Sequence, residues 1–217
     1  MTARLVLATR NEHKLGELRA ILLPVVPGLR VADVVSAAEV NAPDVTETGV
    51  TFAENALLKA RALAAHTGVP AVADDSGLCV DVLGGAPGVF SARWSGRHGD
   101  DASNLTLLLD QLGDVPAEHR GAQFRCAAAL VTPGGVEHVV IGEMPGRLTT
   151  APRGSGGFGY DPILEPDEQP ARAAGTTLTS AELTPEEKNA ISHRGRAFRD
   201  LAPAIAEVLA TQGIRPT

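Results

Sequence analysis

Aromatic side chains are scarce in this sequence: five Phe, one Tyr and one Trp make up 3% of 217 residues. The core must therefore be built from Ala, Val, Leu and Ile, and any ring cluster outside it stands out. Phe158 and Tyr160, close together among glycines, form such a cluster. Cysteine is nearly absent. Cys79 and Cys126 lie far apart in no CxxC pattern, which excludes a disulfide framework and offers no zinc site. Positive charge is in deficit, with 19 Lys+Arg against 26 Asp+Glu and a net charge of −7. Duplex nucleic acid is bound by clustered cations that neutralise phosphates, so no such partner is expected. No apolar run approaches the roughly 20 residues of a membrane span. The opening Met1 to Ala8 meets polar residues at once and lacks the apolar region of a signal peptide, so a soluble cytoplasmic protein is expected. There is no GxxxxGK[ST] phosphate loop. His13, His66, His98, His119 and His138 show no metal-ligand spacing.

What is present reads as an ordinary globular chain, 44% hydrophobic and 21% charged, of a size for one domain with a proper core or two small lobes. Leu5 to Ala8 predicts a strand, Thr9 to Lys14 a tight loop, and the spacing of Leu15, Leu18 and Leu22 a helix stopped by Pro24. Thr51-Phe52-Ala53-Glu54 has the form of a capping box, and the helix it opens runs to about His66, with Gly68 as its stop. Ala53, Ala56, Leu57, Ala60 and Ala64 form its buried stripe. Val69 to Ala73 predicts a second strand running into Asp74-Asp75-Ser76-Gly77. A third helix spans roughly Ser103 to Leu112. Phe124 to Val131 and Val136 to Ile141 predict a hairpin around Thr132-Pro133-Gly134-Gly135. Gly142 to Pro162 carries little periodicity. Thr184-Pro185-Glu186-Glu187 has an N-cap, Pro at N1 and Glu at N3, so a helix starts there. The fold class is α/β, a mixed sheet with flanking helices.

Several segments have the residue types for chemistry. The loop Thr9-Arg10-Asn11-Glu12-His13-Lys14 leads from a strand into a helix, where free backbone N–H groups and the helix dipole favour an anion; an Asn N-cap beside a solvated Lys is the alternative. Asn55 and Lys59 share a helix face that either reaches a ligand or is simply wet, while Glu54 is explained by capping. Asp74 and Asp75 sit at the expected C-terminal end of a buried strand, where α/β proteins place ligands. Their side chains point to opposite faces, so one faces a pocket and the other is structural, unless the pair forms an Asx turn. Glu47 is a candidate second carboxylate for Mg²⁺, which commonly takes one or two carboxylates plus substrate phosphates. Gly154 to Gly159 matches GxGxxG, but no clear strand precedes it and Tyr160-Asp161-Pro162 follows where a helix would begin, which rules against a dinucleotide turn. It suits a glycine loop presenting Phe158 to a ring, with Asp161 as polar neighbour; aromatics folded back onto the core are the alternative. Lys188, Ser192, His193 and Arg194 gather on one expected helix, suited to an acceptor-rich ligand or to a solvated face.

Taken together, these segments resemble the inosine triphosphate pyrophosphatase family, the dITP/XTP pyrophosphatases that remove non-standard purine nucleotides. The resemblance is carried by Thr9 to Lys14, Glu47 to Ala56 with Lys59, Ala73 to Leu78, Gly85 to Trp94, Gly156 to Pro162, and Ala181 to Leu183 with Glu187 to Gly195. It implies one elongated domain over residues 1–217 with two lobes and an active-site cleft between them, a homodimer, and Mg²⁺-dependent hydrolysis of a purine nucleoside triphosphate to monophosphate and pyrophosphate. By position, Thr9, Arg10, Asn11, Glu12, His13 and Lys14 would hold the phosphates with Lys59. Glu47 and Asp75 would hold Mg²⁺, with Asp75 as general base, and Ser76 would contact the nucleotide. Phe158, Gly159, Tyr160, Asp161, Lys188, His193 and Arg194 would form the base pocket. A pyrophosphatase for modified pyrimidine or 7-methylated nucleotides, and a non-catalytic nucleotide-binding regulator, are the competing readings.

Overall fold

The computed structural model describes residues 3–9, 12–173 and 175–212, with the backbone alone for Glu12, His13, Lys14, Glu17, Ala173 and Gln212. In chain order the elements are β1 (Leu5–Leu7), α1 (Glu12–Leu22), β2 (Val34–Ser36), α2 (Phe52–Thr67), β3 (Ala71–Val80), α3 (Asp101–Gln111), β4 (Gly121–Val131), β5 (Glu137–Leu148), β6 (Leu164–Pro166), α4 (Pro185–Ile191) and α5 (His193–Gln212). The strands form one sheet in the order β2-β1-β3-β4-β5-β6. β1 is parallel to β2 and β3, whereas β6 is antiparallel to β5, so the sheet is mixed and the expected α/β class is the one observed. The chain divides into two compact units: Met1–Asp75 with Cys126–Gly142 and Arg194–Thr217, and Ser76–Arg125 with Glu143–His193.

In the first unit, strand alternation sorts the core into two layers. Leu5 and Leu7 of β1, Val72 of β3, and Cys126, Ala128 and Leu130 of β4 pack with Leu15, Leu18 and Leu22 of α1 and with Phe198, Leu201 and Ile205 of α5. The intervening residues, Val6, Ala71, Ala73, Ala127, Ala129 and Val131, pack with Ala56, Ala60, Leu63 and Ala64 of α2. A period of two in the strands thus places α1 and α5 against one set of side chains and α2 against the other. The α2 layer is mostly alanine, and small side chains on both surfaces let that helix approach the strands closely. Each fully buried leucine or isoleucine here contributes about 1.5–3 kcal/mol of apolar burial.

The ends of α2 are set as the sequence predicts. Thr51 accepts the Glu54 N–H at 3.2 Å, and Glu54 accepts the Thr51 N–H at 3.2 Å and the Val50 N–H at 2.7 Å. Gly68 closes the helix at φ 66, a left-handed conformation that costs glycine nothing. In the second unit, Leu78 and Val80 of β3, Leu105 and Leu108 of α3, Phe124 of β4, and Met144, Tyr160, Ile163 and Leu164 form a separate core.

The structure departs from the sequence pattern in three places. β3 does not end at Ala73; it continues through Asp74-Asp75-Ser76-Gly77 to Val80, so the acidic pair lies mid-strand and makes no Asx turn. β5 extends to Leu148, well into the stretch expected to be irregular. Lys188 and His193 do not share a helix: α4 ends at Ile191, Ser192 is extended at ψ 147, and α5 starts at His193 with Gly195 inside it.

Candidate active site

Because β3 stays extended through the acidic pair, the alternation that sorts the core also sorts Asp74 from Asp75. Asp74 follows the phase of Val72, toward α5, and Asp75 that of Ala71 and Ala73, toward α2. Asp74 duly accepts a hydrogen bond from Arg194 Nε of α5 at 3.1 Å, and both side chains are nearly inaccessible, 6% and 4% exposed. Arg194 lies in the first turn of α5, where a cation opposes the helix dipole, and the Asp74 carboxylate compensates it.

Asp75 meets the polar side of α2. Asn55 Nδ2 donates to its Oδ2 at 3.0 Å, and Lys59 Nζ lies 3.6 Å from its Oδ1. The same ammonium donates to Glu47 Oε1 at 2.8 Å. Burial pushes the Asp75 carboxyl above its ordinary range, and Glu47 and Asp74 add to that; Lys59 and Asn55 act the other way without cancelling it. For Lys59, burial alone would lower the value, but Asp75, Asp74 and Glu47 together hold the ammonium above its ordinary range. Glu47 and Asp75, two carboxylates against the one Lys59 ammonium, give this cluster a negative excess among the described residues.

That excess bears on a metal. No group of three or more His, Cys, Asp or Glu among the described residues could enclose an ion. Two hard carboxylates, Glu47 and Asp75, nevertheless converge on one cation, Lys59. This donor set fits an ion such as Mg²⁺, which takes one or two carboxylates and completes its shell with substrate phosphates and water.

Of the expected phosphate loop, Thr9 is buried. Arg10 and Asn11, and the side chains of Glu12, His13 and Lys14, lie outside the described residues. Ser76 follows Asp75 on β3 and is half-buried.

The second unit carries the glycine loop. Gly157 has φ +72, and a Cβ there would clash with Asp161 Oδ2, so only glycine fits. The space is taken by Asp161, a buried carboxylate that accepts the Phe158 N–H at 2.8 Å and Lys188 Nζ at 2.6 Å. The Phe158 ring is 55% exposed, with Lys188 Nζ 5.4 Å from its centroid. Gly159 N–H donates to Asp101 at 3.0 Å. Both readings of the aromatic pair are thus realised, one by each ring. Phe158 is presented outward, while Tyr160, 4% exposed, belongs to the core. Its hydroxyl donates to the Ser91 carbonyl at 2.9 Å, and burial, with a smaller effect of Asp101, holds it protonated far above the usual phenol range. α4, which carries Lys188, is capped by Thr184 and Glu187. Arg172 first, and then the Thr184 N–H, draw the Glu187 carboxyl down to about 2. His193 stacks on Phe124 with centroids 5.0 Å apart.

Ser91 has a role that no local sequence pattern signals. Its Oγ accepts the Leu78 N–H at 2.9 Å and donates to the Gly88 carbonyl at 2.6 Å, tying the Gly85 to Trp94 stretch to β3. A Cβ on Gly77 would clash with that Oγ, so the available signal was the glycine after the acidic pair.

An acidic cluster around a lysine on a parallel part of a mixed sheet, and a ring held out on a glycine loop, suit a nucleotide-handling α/β protein. Residues 5–204 match the Ham1 family, and the chain belongs to it. A dITP/XTP pyrophosphatase of Streptomyces coelicolor is 64% identical over 206 residues, covering 95% of this chain and 98% of that protein. One of Bifidobacterium animalis is 53% identical over 235 residues, with 95% and 98% covered. Among solved structures, a HAM1 protein from Coxiella burnetii is similar at TM-score 0.80 and 40% identity, over 95% of this chain and 100% of that one.

Proposed function

We propose that this protein is a nucleoside triphosphate pyrophosphohydrolase that hydrolyses the non-standard purine nucleotides dITP, ITP and XTP, and so clears them from the nucleotide pool. The observation that supports this most strongly is the half-buried Glu47-Lys59-Asp75 cluster, in a chain whose relatives are named dITP/XTP pyrophosphatases. In the reaction, a water oxygen bonds to the α-phosphorus and the bond from that phosphorus to the bridging oxygen breaks. Pyrophosphate leaves, and the water proton goes to a base.

Asp75 is that base. A carboxylate whose pKa is raised by burial is a stronger proton acceptor than an exposed one. Asn55 occupies its Oδ2, which leaves Oδ1, on the Lys59 side, to receive the proton. Glu47 and Asp75 would hold Mg²⁺, which when bound supplies charge neutralisation at the phosphate oxygens. Lys59, with Lys14 and the rest of the Thr9 to Lys14 loop, offsets the charge of the triphosphate. Ser76 contacts the nucleotide.

Phe158 stacks on the purine, a contact that tolerates any base. Lys188 and Asp161 hold that ring and its loop in place. Selection falls to donors that pair with a 6-oxo group, Arg194 and His193 being the proposed side chains. Against adenine they would face the 6-amino donor, a mismatch that can reach roughly 10⁴-fold. Arg194 Nε is also committed to Asp74. The reading includes a cytoplasmic homodimer, for which sedimentation at about twice the 22.4 kDa chain mass is expected.

Turnover of dITP, ITP and XTP beside ATP and GTP, with and without Mg²⁺, tests the proposal. Monophosphate plus pyrophosphate from the first three, with little from ATP, is the expected result. Diphosphate plus phosphate would indicate an ordinary phosphatase. Substrate recovered intact would indicate a regulator, and activity confined to methylated nucleotides would move the substrate class.

A further inference from the structure

Asn55 is completely buried, and both ends of its amide are used. Nδ2 donates to Asp75 Oδ2 at 3.0 Å, and Oδ1 accepts the Gly49 N–H at 2.8 Å. Gly49 lies two residues after Glu47 in sequence, and Lys59, one helical turn beyond Asn55, binds Glu47 and Asp75 in turn. The contacts close a circuit: Glu47 to Lys59, Lys59 to Asp75, Asp75 to Asn55, and Asn55 to the backbone that carries Glu47. Two side chains four apart on one face of α2 therefore brace the two carboxylates from both sides. The approach of the Gly49 backbone requires glycine, since a Cβ there would lie 2.6 Å from Glu54 Cβ and 2.7 Å from Asn55 Oδ1.

We infer that Asn55 is a positioning residue. Its amide fixes the spacing between the Glu47 segment and Asp75, and it determines which oxygen of Asp75 is left for chemistry. The inference rests on the pyrophosphohydrolase reading above. Asn55 is not itself a catalytic group, because a fully buried amide with both ends occupied reaches neither water nor phosphate. Lys59 could not do this alone, since an ammonium on a four-carbon stem is a flexible donor whereas the Asn amide is planar and short. A bracing partner behind a ligand carboxylate typically matters 10–100-fold in metal affinity or activity.

The experiment compares Asn55→Asp, Asn55→Ala and Gly49→Ala with the wild-type protein. Asn55→Asp keeps an acceptor for Gly49 and replaces the donor to Asp75 with a like charge. Gly49→Ala leaves Asn55 in place and pushes the loop away from it. Steady-state kinetics on dITP are combined with Mn²⁺ binding to the nucleotide-free protein, read from the paramagnetic resonance signal of free Mn²⁺. Circular dichroism identifies the folded variants.

For folded Asn55→Asp and Gly49→Ala, kcat is expected to fall about 10²-fold with KM for dITP changed less than about threefold, as misplacement of a reacting group predicts. Mn²⁺ affinity is expected to fall about tenfold or more in both. Folded variants with kcat and Mn²⁺ affinity within about threefold of wild type would overturn the inference, and Gly49→Ala decides alone if the Asn55 variants do not fold. A wild-type protein inert on dITP and XTP would instead overturn the reading on which the inference stands.

Discussion

Replacing Arg194 by alanine separates two roles that the geometry gives one side chain. Its Nε donates to Asp74 at 3.1 Å, with both groups buried, so truncation leaves a buried carboxylate without its guanidinium. Removing one partner of a buried pair costs about 3–5 kcal/mol. Asp74 takes part in other interactions, which puts the expected loss at the lower end, about 3 kcal/mol. For a chain of this length each kcal/mol lowers the melting temperature by about 2–4 °C, so a fall of about 6–12 °C is expected. The double variant Asp74→Asn with Arg194→Met removes both charges and should recover most of that loss. Thermal and urea unfolding at pH 7 provide the assay. A melting temperature for Arg194→Ala within about 2 °C of wild type would refute the buried-pair reasoning. If Arg194 also reads the base, the ITP-to-ATP ratio of kcat/KM falls in the folded fraction. An unchanged ratio would confine the residue to holding Asp74.

Asp75→Asn is expected to reduce turnover by at least about 10³-fold, since it removes the base and a ligand charge. It should also be no less stable than wild type at pH 7. A carboxyl whose folded pKa lies above 3.8 supports the fold while protonated and loses that support as pH rises through the folded value, so the ionised group is a liability to the fold. The acid limb of kcat should accordingly fall above the ordinary carboxylate range, and a limb at or below pH 3.8 would contradict the assignment. Phe158→Ala should raise KM for every purine triphosphate by about fivefold with little change in the ITP-to-ATP ratio, because stacking is worth about 1 kcal/mol and is blind to the 6-substituent; a changed ratio would sink that role. Tyr160→Phe should lower stability by about 1 kcal/mol through the lost hydrogen bond to Ser91. A large kcat defect without a stability change would instead place that hydroxyl in the reaction.

The sequence made legible the features that depend on local pattern. The capping box of Thr51 and Glu54, the Gly68 stop, the Leu15-Leu18-Leu22 stripe and the N-cap at Thr184 each involve residues a few positions apart, and each is as expected. The separation of Asp74 from Asp75 was also readable, because it follows from strand alternation alone. Features that depend on distant partners were not. Arg194 meets Asp74 across 120 positions, and nothing near either residue announces the pair. Asn55 on the face of an alanine-rich helix reads equally as reaching a ligand or as solvent-facing until β3 is known to carry a carboxylate in phase with it. The extension of β3 past Ala73 was hidden because Asp, Ser and Gly favour turns locally, while neighbouring strands and the buried Leu78 and Val80 hold the segment extended. β2 and β6, at three residues each, are too short for a period of two to register.

Hydrolysis of dITP in heavy-oxygen water, in the presence of Mg²⁺, reports which phosphorus the water attacks. Attack of Asp75-activated water at the α-phosphorus places the label in dIMP, with none in pyrophosphate. Label in pyrophosphate would mean attack at the β-phosphorus, and release of labelled inorganic phosphate with dIDP would mean attack at the γ-phosphorus; either result would contradict the account.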